Sequence, residues 1–158
     1  MPAILSFVHP VVALAAFVSL VALAALFGVQ FEPGEWYEEL DKPPLTPPNR
    51  VFGPVWSALY LAIAVAGWLV WRARPGSPTP LTLWGSQLVL NAAWSLLFFG
   101  LHRPALALLE IAALLILVVF TTQSFFRVRN LAGALLVPYV VWVGFAAYLN
   151  AGVWYLNR

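Results

Sequence analysis

Residues 104–126 read PALALLEIAALLILVVFTTQSFF, with one acid, Glu110, and no base. About 20 mainly apolar residues in a helix cross roughly 30 Å of hydrocarbon, so this run is long enough to span a bilayer. A transmembrane β-strand would be about 10 residues long and would alternate apolar with polar side chains. The run shows no such alternation. A helix also satisfies its backbone hydrogen bonds within one segment, which hydrocarbon demands. The fold class that follows is an all-α integral membrane protein.

Four further runs meet the same criterion. They cover about 3–29, with Pro10 in the first turns; 51–71, opening with Pro54, where a missing N–H does little harm; 79–99; and 130–155. Pro138 is a predicted kink in the last. The expected architecture is a bundle of five transmembrane helices forming one membrane domain over residues 1–158. The N-terminus lacks a Lys/Arg n-region, and Ala3–Val29 exceeds the roughly 7–15 residues of a signal-peptide h-region. It therefore reads as a retained first span.

Composition agrees with a lipid solvent. Hydrophobic residues make up 63% of the chain and charged residues 9%, against roughly 25% charged in a soluble domain. Such a chain lacks the polar surface to coat a globule in water. A net charge of +2, with no basic run interleaved with aromatics, argues against nucleic acid as a partner. Without any Cys there are no disulfides, thiolate metal sites or Cys nucleophiles. His9 and His102 lie far apart with no ligand-spaced partner, so no metal site is expected.

The connections are unequal. Leu101-His102-Arg103 joins spans three and four, RARPGSPTP (72–80) joins two and three as a plain turn, and Arg127 to Asn130 joins four and five. The first connection, residues 30–50, is different: it holds five of the six acids, five of the thirteen prolines, Trp36 and Tyr37. A long structured loop in a small protein is usually functional. Arg72, Arg74, Arg127 and Arg129 fall on the side of the N-terminus, and Lys42, Arg50, Arg103 and Arg158 on the other. Four against four sets no orientation by the positive-inside rule. Which membrane, inner or outer, is left open too.

Polar groups inside spans are costly and turn toward protein or a cavity. Gln87, Asn91, Trp94, Ser95 and Phe98 share one face of the third span. Tyr139, Trp142, Ala146 and Asn150 share one face of the fifth, with Phe145 beside it, while Phe52, Trp56 and Tyr60 recur at i+4 in the second. Two readings fit. Such stripes pack helices together and bond amides across them, or they line an aromatic cavity for a flat, mostly apolar ligand.

Glu110, about two turns into the fourth span, also has two readings. One is a proton relay or counter-charge. The other, favoured because no intramembrane cation is available to pair with it, is a carboxyl that fixes helix packing. No Gly-rich phosphate loop, G-x-S-x-G or H-E-x-x-H occurs, so conventional enzyme chemistry has no visible motif.

Three ordered blocks carry a resemblance. WYEELDKPPLTPPNRVFGPVWSALY (36–60), QLVLNAAWSLLFFG (87–100) and LLVPYVVWVGFAAYLN (135–150) resemble the signatures of the TspO/translocator-protein family, also called the peripheral benzodiazepine receptor family. The likeness covers nearly the whole chain in order. It implies five packed helices, often as a homodimer, with a pocket beneath the first loop. It also implies binding of porphyrins such as protoporphyrin IX and haem, of sterols and other lipids, and of benzodiazepine-type ligands. By motif position Tyr37 belongs to the lid, while Trp56, Asn91, Trp94 and Trp142 line the pocket with Phe145, Ala146 and Ala147 on its wall. The acid at Glu110 fits the family pattern.

The chain departs from that pattern in two places. Leu45 stands where the family has Trp, which removes one ring from the lid. The animal sterol motif finds Ala151 and Tyr155 here, so high-affinity cholesterol binding is not implied; a shifted match survives as Val153, Tyr155 and Arg158.

The resulting expectation is a membrane receptor or sensor for tetrapyrroles that needs no cofactor and takes porphyrin or haem as ligand. The alternatives are a light- or oxygen-dependent porphyrin-degrading enzyme, with Trp56 and Trp142 as the candidate reactive rings, and a small-molecule transporter. Small residues at Ala15–Ser19 and Ala24–Gly28 allow close helix contact within or between chains.

Overall fold

A computed structural model describes residues 9–31 and 33–158, so the part of the predicted first span over 3–8 lies outside the described residues. Within them, five helices are long and apolar enough to cross a membrane. The protein is a multi-pass integral membrane protein. In chain order the elements are α1 (Pro10–Val29), a short α2 (Glu35–Glu39) in the first loop, α3 (Asn49–Ala73), α4 (Thr79–Ser95), α5 (Pro104–Val128) and α6 (Asn130–Leu156). One π-helical turn, Leu96–Gly100, extends α4.

Local chemistry sets several ends. Pro10 opens α1 with its φ already helical, and His9 Nδ1 accepts the Val11 N–H at 3.3 Å. Arg74, at a φ of 50°, closes α3 in the left-handed conformation ahead of Pro75. Pro104 opens α5.

One expectation is corrected. Because α3 begins at Asn49, Pro54 lies inside the helix rather than in its first turn. The ring removes the donor to the Arg50 carbonyl, but Arg50 is exposed at the helix start, where water and headgroups can satisfy that group. Around Pro138 the helix runs on without interruption.

The bundle core sits between α3, α4, α5 and α6. Ile63, Val70, Val118, Phe125, Ala132 and Tyr139 are fully buried there. Small residues permit close approach. A side chain on Gly67 would collide with the rings of Trp84 and Phe17, and one on Gly133 with Phe126. Trp84 is fixed in that notch by donating its indole N–H to the Ile63 carbonyl at 2.9 Å, with the Phe17 ring edge-on at 5.0 Å. At the N-terminal end, Trp68 donates to the Pro10 carbonyl at 2.9 Å and ties α3 to the start of α1. The first loop lies over the opposite end of the bundle.

A candidate ligand cavity beneath the first loop

A cavity of about 550 Å³ opens under that loop, walled by the loop-side ends of α1, α3, α4 and α6. That size suits a small organic ligand. Its α3–α6 side is a set of rings. Trp56 stacks on Tyr60 with centroids 5.3 Å apart, Trp142 meets Trp56 edge-on at 6.4 Å, and Phe52 meets Trp142 at 6.0 Å. On the α4 side Trp94 stacks on Phe98 at 5.2 Å. Among the described residues no charged side chain lines the cavity, and no group of His, Cys, Asp or Glu is placed to hold a metal.

Two hydrogen-bonded chains hold these rings. In the first, Tyr60 donates to Asn91 Oδ1 at 3.0 Å, Asn91 Nδ2 donates to the Tyr139 hydroxyl at 2.8 Å, and Tyr139 donates to Gln87 Oε1 at 2.8 Å. In the second, Trp94 donates to Asn150 Oδ1 at 3.0 Å and Asn150 Nδ2 donates to the Pro104 carbonyl at 2.8 Å. Each chain crosses between helices, so it fixes helix rotation as well as ring position. Asn91 therefore spends both ends of its amide on neighbours. The Trp142 indole N–H, by contrast, is buried with no partner among the described residues. A buried donor left unpaired costs about 1–3 kcal/mol, which a ligand acceptor could recover.

The loop forms a roof docked at two places. On the α4 side, Tyr37 is buried with its ring edge-on to Phe99 at 5.5 Å, and Trp36 stacks on His102 at 4.3 Å with planes 11° apart. Burial pushes the Tyr37 phenol up from its ordinary value. Lys42 Nζ lies 4.7 Å from the Tyr37 ring and donates to the carbonyls of Glu38 and Leu40. On the α6 side, Asn157 accepts the Asp41 N–H at 3.0 Å and donates to the Asp41 carbonyl at 2.8 Å, and Tyr148 donates to the Pro44 carbonyl at 2.9 Å. Gly152 leaves room for Pro43, which would collide with any side chain there. Leu45, the residue in place of the family Trp, turns outward at 81% exposure with a φ of 70°.

Of the residues singled out from sequence, Tyr37, Trp56, Asn91, Trp94, Trp142 and Ala146 line the cavity together. Phe145 and Ala147 do not. The cavity face of α6 runs Trp142, Ala146, Leu149, Asn150 and Val153, and positions 145 and 147 lie about a quarter turn to either side of 146. Phe145 instead supports Trp142 at 5.6 Å, and Ala147 packs into the core. Glu110 is also off the cavity wall, with both carboxyl oxygens buried and unpartnered among the described residues. Phe99 lines the cavity unforeseen. It lies beside Phe98 in the π-turn that ends α4.

Comparison with known proteins is consistent along the whole bundle. Residues 11–156 match the model of the TspO/MBR family. Protein CrtK of Rhodobacter capsulatus is 38% identical, the alignment covering 86% of this chain and 87% of that protein. The translocator protein of Homo sapiens is 38% identical over 87% of this chain and 85% of its own length. The tryptophan-rich protein TspO of Chlorobaculum tepidum is 39% identical over 80% and 82%.

Proposed function

The chain belongs to the TspO/MBR family, and from that membership we propose that it is a membrane receptor or sensor whose cavity takes a tetrapyrrole. Protoporphyrin IX and haem are the expected ligands, with other flat apolar molecules and lipids as lesser ones. The observation that carries this reading is a cavity walled by the rings of Trp56, Tyr60, Trp94, Phe98 and Trp142, with no charged side chain lining it among the described residues. Aromatic faces stack on a planar ring and contribute about 0.5–1.5 kcal/mol per pair beyond the area they bury. Any carboxylates on the ligand would stay at the mouth, because no cation lines the interior among the described residues. Asn91 and Asn150 act by holding Tyr60 and Trp94 in place, and Trp142 supplies the free donor.

Trp142→Ala is expected to weaken protoporphyrin IX binding about tenfold, the loss of roughly 1.4 kcal/mol of stacking and hydrogen bonding. Fluorescence-quenching titration of folded protein measures it. An unchanged dissociation constant would remove Trp142 from the site and the tetrapyrrole reading with it.

The edge contact between Trp56 and Trp142 favours a second reading, light-dependent porphyrin breakdown, since two indoles would face one bound ring. Illumination should then bleach the porphyrin band to a defined product, and Trp56→Phe should slow it. Bleaching no faster than with an unrelated detergent-solubilised membrane protein ends that reading. Transport draws no support from Glu110, which stays off the cavity wall. A homodimer is the assembly this reading carries, and its test is mass in detergent.

A further inference from the structure

We propose that the cavity is entered sideways from the lipid, through a doorway between α1 and α3 framed by Gly53 and Ser57, and not by lifting the loop. The proposal rests on the tetrapyrrole reading for its ligand and adds the phase from which that ligand comes.

The walls of the cavity differ in exposure. Its α4 and α6 residues Asn91, Phe98, Leu149, Asn150 and Val153 are buried, so the back is closed. The exposed lining residues are Val29, Pro33, Asn49, Gly53 and Ser57. All of them belong to the end of α1, the start of the loop, or the first turns of α3. Asn49, Gly53 and Ser57 recur at i+4 and so form one stripe along α3.

Helix packing explains the gap. At the N-terminal end α1 and α3 are closed together by Trp68 on Pro10 and by Phe17 against Gly67. At the loop end α1 leans on α4 instead, with Gly28 against Ser95 and Phe31 against Gly100. Among the described residues, the α3 stripe that faces this end of the α1–α3 seam is Asn49, Gly53 and Ser57, three small or polar residues that stay exposed. Gly53 has no atom within 4 Å of where a Cβ would stand. Ser57 can face lipid there because its hydroxyl already donates to the Gly53 carbonyl at 2.8 Å.

The roof, by contrast, is fastened on both sides. Asn157 grips both backbone groups of Asp41, Tyr148 holds Pro44, and Trp36 stacks on His102. Opening it would break these contacts together. A ligand dissolved in the bilayer meets the doorway directly.

The test uses the full chain in phosphatidylcholine vesicles, with protoporphyrin IX added in the bilayer and tryptophan quenching followed by stopped flow. Gly53→Leu should slow association about tenfold or more. Dissociation should slow as well, because a blocked doorway obstructs both directions. Leucine also suits a helix better than glycine, so folding is not at risk there. Ser57→Leu gives a second, independent obstruction with the same expected slowing. Asn157→Ala, which loosens the roof, should leave the association rate within about twofold. Unchanged rates in both doorway variants would overturn the proposal. So would faster entry in Asn157→Ala, or weaker binding in the doorway variants with no slowing. If the unsubstituted protein shows no porphyrin quenching, the tetrapyrrole reading itself fails. If it binds normally while the roof variant alone changes the rates, only the doorway fails.

Discussion

Helices α1 and α5 are almost equally apolar, with mean hydropathies of 2.6 and 2.5 over an 18-residue stretch of each, yet 11% of the α1 stretch and 33% of the α5 stretch is buried in protein. In water such similar segments would compete for the same core. In lipid they do not, because acyl chains solvate leucine as well as a neighbouring helix does. Burial is decided by fit and by polar bonds. Helix α5 brings Ala107 against its neighbours and sets Phe125 into the core, while the flanking Phe126 rests on Gly133 of α6. Its buried hydroxyls, Thr121 and Thr122, are satisfied by the carbonyls of Leu117 and Val118 in the same helix. Helix α1 buries only Ala13 and Val21, and it meets α3 and α4 at close approaches that include Pro10, Phe17 and Gly28. One helix is set into the core. The other keeps most of its surface toward lipid.

Three substitutions grade this contrast by stability in detergent, read from thermal or denaturant unfolding. Phe125→Ala on α5 should cost most, about 3 kcal/mol, because a fully buried ring is replaced by a void whose lining loses its contacts. A loss under about 1 kcal/mol would mean that the bundle collapses around the gap and that α5 is no firmer than α1. Tyr139→Phe should cost less, about 1 kcal/mol. It strands the Asn91 amide and the Gln87 carbonyl oxygen, although hydrogen bonds between membrane helices average only about 0.6 kcal/mol. The same variant should also weaken porphyrin binding, since Asn91 positions Tyr60. Leu23→Ala on α1 should be smallest, within about 0.5 kcal/mol, because Leu23 is 63% exposed to what is already hydrocarbon. A larger loss would show that α1 is held by contacts outside this chain, and a second copy would be the first candidate.

Much of the cavity was legible because its residues are of unusual types for a span. Asn91 and Trp142 stand out in an apolar run, and their spacing with Trp94 and Ala146 puts them on common faces. Phe145 and Ala147 were placed on the wall by resemblance to a motif, which specifies neighbours in sequence but not which of them turns inward. Phe99 left no signal, since it is one ring among several in the apolar run LLFFG and falls off the face marked by Asn91, Trp94 and Phe98. Gly53 and Ser57 read as unremarkable small residues until their exposure and the seam beside them could be seen together.

The amino-acid order alone is enough to specify five crossings, their approximate limits and a helical backbone, because hydrocarbon admits few ways to satisfy peptide groups. It does not specify how far each helix is turned about its own axis. Segments apolar on nearly every side carry no stripe to point them inward, so rotation is settled by contacts between helices: glycine notches, the bonds of Asn91 and Asn150, and the ring of Trp84. Which donor is left free, which ring faces the ligand and where the wall stays open are all consequences of that rotation.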